Sequence, residues 1–264
     1  MIGKLLTNTF SFQNPHLHIR QTASYLLKRP SLTPVKFVLF GRGRSGSTTL
    51  VSLLNGVQSI QCDGEILSRR VLLPQLYLQS CCAKSHATAY GCKILSYQIR
   101  DVQPIVRRRQ FLHRLNNAGF KVIYLRRRNL FLHAISNLRA RVLGFHKKKT
   151  DSLVKAKAIT VEPESIVDWI RRSETLASYE LELLQGLEIL SLTYEDNLQR
   201  TVQHQETVDQ ICEFLGVPSS PVTSDYRKQS SSRWQDAIAN HQEVTGFLSK
   251  TPYAHYLDDI GYPS

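Results

Sequence analysis

No stretch of the 264-residue chain approaches the run of about 18 apolar residues that a membrane-spanning helix requires. Acids are scarce where they would matter most: none occurs before Asp63. Between Arg100 and Lys149 only Asp101 opposes fourteen lysines and arginines. Cysteine is sparse too. Cys62, Cys81, Cys82, Cys92 and Cys212 are odd in number, include an adjacent pair, and show no metal-ligand spacing. That pattern excludes a disulfide scaffold or zinc module and fits a reducing, cytoplasmic setting. Internal repeats and low-complexity segments are also lacking.

The remaining composition is that of an ordinary globular chain, 42% hydrophobic and 21% charged, long enough for a full core. The net charge of +13 is concentrated in the middle of the sequence and calls for an anionic partner. A nucleotide, a nucleic acid, an acidic glycan or a membrane surface would each satisfy it. Residues 1–34 read as a surface arm or short helix ahead of the first strand. Their lack of acids also fits a transit segment, but no signal-peptide hydrophobic region is present.

Apolar runs and helical spacing alternate along the rest of the chain. Residues 36–41 form a short apolar run stopped by glycine, the pattern of a buried parallel strand. Residues 47–55 read as a helix, 59–62 as a short strand, 65–82 as helical with Pro74 interrupting, and 91–97 as a strand. Residues 102–117 read as a basic amphipathic helix ended by Gly119. Further strands fall at 121–125 and 187–193, and further helices at 129–142, 165–184 and 207–215. Residues 144–158 read as a polar loop or lid. Alternating strands and helices predict an α/β fold, three-layer α/β/α around a parallel sheet, with residues 35–264 as one domain. Ligands in such sheets bind beyond the carboxyl ends of the strands. That directs attention to 41–48, 95–98, 126–129 and 194–196.

The first of these segments carries the clearest chemistry. Between the strand and helix stand Gly41, Arg42, Gly43, Arg44, Ser45, Gly46, Ser47, Thr48 and Thr49. Backbone N–H groups of such a turn, backed by a helix N-terminus, make an anion cradle. Gly41 and Gly46 have Walker A spacing and Thr48 stands at its hydroxyl position, yet Ser47 occupies the lysine position. No apolar strand ends in an acid that would hold magnesium; residues 121–125 run instead into Arg126, Arg127 and Arg128. These features predict an anion neutralised by side chains, without a metal.

Arg44-Ser-Gly-Ser-Thr48 resembles the 5′-phosphosulfate loop of sulfotransferases that use 3′-phosphoadenosine-5′-phosphosulfate (PAPS). Members of that family carry a second motif, an arginine at a strand end followed eight residues later by serine; here Arg128 and Ser136 match. The resemblance implies a P-loop sulfotransferase fold with Arg128 and Ser136 on the 3′-phosphate. Two further segments match. Leu192-Thr-Tyr194-Glu-Asp196 resembles the family's segment near the adenine. The basic loop 226–232, with Arg227 and Lys228, resembles the one that closes over the 3′-phosphate. By the same resemblance Arg44 and the loop amides bind the sulfuryl and bridging oxygens, with Ser47 and Thr48 assisting.

Glu65 stands where bacterial and carbohydrate sulfotransferases, including the nodulation type, carry a glutamate, so the resemblance makes it the base for the acceptor proton. Its simpler account is an acid at a helix start, and Asp63 is a poorer alternative base. Lys93 lies on a strand that otherwise reads as buried, where a lysine needs a ligand or an acid to reach. Related enzymes place a catalytic Lys or His after the corresponding strand, which implies a contact with the bridging oxygen. His133 reads as a packed or surface residue, and His86 and His113 carry no motif. The expected activity is sulfuryl transfer to a hydroxyl or amine of a glycan or glycolipid, with PAP as product and no nucleic-acid partner. A P-loop kinase or NTPase with a degenerate loop, and a basic nucleic-acid-binding protein, are the competing readings. The acceptor and the oligomeric state are not written in these motifs.

Overall fold

The computed structural model describes residues 34–143, 158–223 and 233–258. The expected arm, the polar loop at 144–157 and the loop containing Arg227 and Lys228 lie outside the described residues. Five strands form one all-parallel sheet in the order β2-β3-β1-β4-β5. They are β1 (Val35–Gly41), β2 (Ile60–Asp63), β3 (Ala89–Leu95), β4 (Phe120–Arg126) and β5 (Ile189–Thr193). The helices between them are α1 (Ser47–Leu54), α2 (Pro74–Cys82), α3 (Phe111–Asn117), α4 (Leu130–Leu143) and α5 (Pro163–Leu184), and α6 (Tyr194–Asn197) and α7 (His204–Leu215) follow β5. The short α8 (His241–Leu248) and α9 (His255–Asp258) follow.

The strand pleat explains the layering. On β1, Phe37 and Leu39 face one side of the sheet and pack with Leu50, Leu53 and Leu54 of α1 and Ile211 and Leu215 of α7. Val38 and Phe40 face the other side and pack with Leu78 of α2, Phe111, Leu112 and Leu115 of α3, and Leu183 near the end of α5. Apolar residues on both faces of a central strand are what a parallel sheet covered by helices demands. The three-layer α/β/α expectation is therefore met.

The described residues fall into two compact units. One comprises 34–126 and 179–223 and contains the sheet; the other comprises 127–143, 158–178 and 233–258. The second unit has its own core, in which Leu130, Phe131 and Ile135 of α4 meet Ile166 and Ile170 of α5, Trp234, and Val244 of α8. Phe131 and Trp234 meet edge to face, centroids 4.8 Å apart.

Two expected helices are corrected. Residues 65–73 are irregular, and the helix begins only at Pro74, which occupies its first turn. Proline is suited to that position because its missing N–H has no intrahelical acceptor there. Residues 102–117 do not form one helix either. A π-helical turn (Gln98–Val102) precedes Pro104, and regular α-helix starts at Phe111.

Candidate functional site

Beyond β1 the helix goes to one face of the sheet, whereas beyond β3 the path leads to α3 on the other. The carboxyl ends of these neighbouring strands therefore diverge, which opens a crevice at the switch point. Leu39, Phe40, Gly41, Arg42, Ser45, Ser47, Lys93, Leu95 and Leu125 line it.

The loop geometry depends on two glycines. A Cβ at Gly41 would lie 2.2 Å from the Leu125 carbonyl oxygen, so only glycine lets β1 end against β4 in this way. Gly46 has φ +86° and precedes α1 with no side-chain cap on the helix. Arg44 also adopts positive φ, +65°, which costs a non-glycine residue about 1 kcal/mol. Left-handed turns of this kind aim successive N–H groups toward a common point, where they favour an anion. The buried Ser45 hydroxyl donates to the Arg42 carbonyl at 2.6 Å and closes the turn. Ser47 is buried beside the crevice, Thr49 half-buried and Thr48 exposed.

Lys93 is 7% exposed and lines the crevice, and its Nζ lies 2.9 Å from Glu65 Oε1. The Phe37 ring lies over Gly91, where a Cβ would stand 2.2 Å from it. The Lys93 backbone N–H donates to the Gly64 carbonyl at 3.3 Å, which fixes the turn carrying Glu65 against β3. Fully buried Gln98 donates from Nε2 to Glu65 Oε2 at 3.2 Å, and its Oε1 accepts the Leu95 N–H at 3.0 Å. Tyr97 also interacts with Glu65; burial, then that carboxylate, raises its phenol pKa. Asp63 accepts from the Tyr90 hydroxyl at 2.6 Å instead, consistent with its being the poorer candidate base.

Arg42 points into the protein. Its Nε lies 3.3 Å from Oε2 of Glu180, a fully buried acid of α5 that also accepts from the Tyr124 hydroxyl at 2.9 Å. Burial raises the Glu180 pKa, while Arg42, Ser96 and Tyr124 pull it down less strongly. Glu180→Ala would leave the Arg42 guanidinium buried without this counter-charge. We expect a loss of about 3 kcal/mol in urea unfolding at neutral pH. Because the folded-state pKa lies above the ordinary 4.5, this carboxyl contributes most below that value and loses its contribution as pH rises. Glu180→Gln should flatten that part of the stability–pH curve.

Tyr194 opens α6 after β5 and packs on the loop itself, since a Cβ at Gly46 would stand 2.6 Å from its Cδ2. Arg128, exposed, and Ser136, half-buried on α4, both belong to the second unit. The structure thus gathers residues 41–49, Glu65, Lys93 and Tyr194 in the first unit and carries Arg128 and Ser136 in the other. His133 is buried with its ring edge-on to Trp169, centroids 4.8 Å apart, which makes it a packing residue.

The cysteines are all free. Burial pushes the Cys62 and Cys82 thiols up to about 12 and Cys92 well above its usual value, so none of these three reads as a nucleophile. Among the described residues no His/Cys/Asp/Glu cluster could hold a metal ion, and no helix is long and apolar enough to cross a membrane.

Three partners escaped sequence reasoning: Gln98, Tyr97 and Glu180. The strand-end rule pointed at 95–98 without singling out either side chain. Glu180 looks like any acid of a long helix, because its partner Arg42 is remote in sequence.

No protein-family model matches the chain, and no curated protein matches it in sequence comparison.

Proposed function

We propose that the protein is a PAPS-dependent sulfotransferase acting on a hydroxyl or amine of a glycan or glycolipid. The observation that carries this reading is the Lys93–Glu65 ion pair beside the β1–α1 loop, where a cation, an acid and a phosphate-type turn meet at one sheet switch point. A phosphate-binding loop with serine in place of the Walker lysine suits a donor whose transferring group is neutralised by protein cations.

In this reading the acceptor oxygen attacks sulfur in line with the S–O bond to the 5′-phosphate. That bond breaks, its electron pair leaves with PAP, and the acceptor proton passes to Glu65. Lys93 donates to the bridging oxygen as charge develops there, and Arg44 with the loop amides holds the sulfuryl oxygens. Gln98 keeps one Glu65 oxygen oriented. Arg42, tied to Glu180, shapes the loop from beneath. Tyr194 packs on Gly46 and supports the turn. The reading gives the 3′-phosphate to Arg128 and Ser136, as the sequence motif implies, and Arg227 and Lys228 to the closing loop.

Arg128→Ala should weaken PAP binding by roughly 2–4 kcal/mol in equilibrium titration, the cost of a lost charge-assisted fork. Transfer of ³⁵S from labelled PAPS to a panel of glycans and glycolipids tests the reaction. Label in an acceptor supports the reading. Nucleotide binding with transfer to no hydroxyl or amine acceptor would count against it.

A further inference from the structure

Two segments lead away from the hydrogen-bonded pair Glu65 and Gln98, one following each residue, and they are laced together. Buried Gln103 donates from Nε2 to the Leu67 and Arg69 carbonyls at 2.7 Å each, and its Oε1 accepts the Val71 N–H at 3.1 Å. Arg70 Nε donates to the Val102 carbonyl at 3.0 Å. A satisfied buried network of this kind makes the two segments one platform.

The platform presents an unusual outer surface. Val106 is 98% exposed, Leu73 57% and Leu72 45%. Arg69, Arg107 and Arg108 of the same two segments are exposed and have no carboxylate partner among the described residues, whereas Arg100 and Arg109 pair with Asp101 and Glu182. Isolated exposed apolar residues are commonplace, but three on one laced platform, interleaved with uncompensated arginines, are not. Arginine beside protruding aliphatic side chains is the composition of a surface that sits at a lipid interface: the cations meet phosphates and the apolar groups reach the acyl boundary. A soluble polyanion would use the arginines and leave Val106, Leu72 and Leu73 in water. A second copy would bring the same positive charge against itself across a twofold contact.

We infer that this platform docks on an anionic lipid bilayer, with Val106, Leu72 and Leu73 at the headgroup–acyl boundary and Arg69, Arg107 and Arg108 against lipid phosphates. Because both segments start at the Glu65 network, docking presents a lipid-borne headgroup to it. The acceptor is then a glycolipid in the bilayer, a consequence that rests on the sulfotransferase reading, whereas the docking itself does not.

The test is flotation of the full chain with phosphatidylcholine vesicles, with and without phosphatidylglycerol, alongside a heparin column, gel filtration and PAP titration. We expect binding to the phosphatidylglycerol vesicles only. Val106→Asp and, separately, Arg107→Glu/Arg108→Glu should each weaken it about tenfold or more while leaving PAP affinity unchanged. No flotation of the native chain, or flotation indifferent to Val106→Asp, would overturn the inference. So would heparin retention without flotation, or a dimer that Val106→Asp dissolves. Flotation by a chain that binds no PAP would keep the docking surface and remove the sulfotransferase reading.

Discussion

Gly46→Ala should abolish nucleotide binding, lowering PAP affinity by about 100-fold or more. Two independent effects combine. The left-handed backbone at φ +86° costs a residue with a Cβ about 1–2 kcal/mol. The new methyl would also stand 2.6 Å from Tyr194 Cδ2 and 3.1 Å from Leu198 Cδ1, so the α6 turn must give way. The loop that carries Arg44 and the N-terminus of α1 cannot relax without losing the convergence of its N–H groups. Calorimetric titration with PAP reads the affinity, and thermal unfolding reports the accompanying strain. A Tyr194→Ala/Gly46→Ala double variant should recover part of the stability and part of the binding, because it removes the Tyr194 clash and leaves the backbone strain and the Leu198 contact. Unaltered PAP affinity in Gly46→Ala would show that this loop does not hold the nucleotide.

If the protein transfers sulfuryl groups as proposed, Lys93→Ala should slow transfer by about 10²–10³-fold with PAP affinity changed less than about tenfold, because the proposed contact would strengthen as the bridging oxygen gains charge. Glu65→Ala should also spare binding and slow turnover by on the order of 10²-fold. The two side chains share one ion pair at 2.9 Å, so their effects should not add. The double variant should be about as slow as the slower single one. Single-turnover rates on an acceptor found by label transfer provide the measurement. Full activity in Glu65→Ala removes it as the base, and full activity in Lys93→Ala removes the lysine from the reaction.

The parts of this architecture that depend on local pattern were legible in the sequence. The apolar run ending at Gly41, the glycine-rich turn and the spacing of Leu50, Leu53 and Leu54 placed β1, its loop and α1 almost to the residue. Lys93 stood out because a strand buried on both faces has no place for an unpaired cation, and the structure supplies Glu65.

What misled was apolar spacing without helix. Leu67 and Val71 fill the core beside Leu78 from an irregular segment, held there by Gln103 rather than by helical hydrogen bonds. Nothing in their spacing reveals that. Likewise residues 102–117 read as one amphipathic helix, although Pro104 and the turn before it divide the segment and Ile105 reaches the core from outside any helix. The Arg42–Glu180 pair was hidden for a different reason. Long-range pairing across the sheet leaves no local signature, so nothing near Arg42 in the sequence shows that its guanidinium meets Glu180.

The proposed function requires the β1–α1 loop to accept PAP in preference to a nucleoside triphosphate. Calorimetric titration of the full chain with PAP in EDTA, with ATP titrated in EDTA and in magnesium, tests this most directly. The sulfotransferase account predicts micromolar PAP binding without metal, much tighter than ATP. No PAP binding, or ATP binding only with magnesium, would contradict it and make the same loop that of a kinase or NTPase.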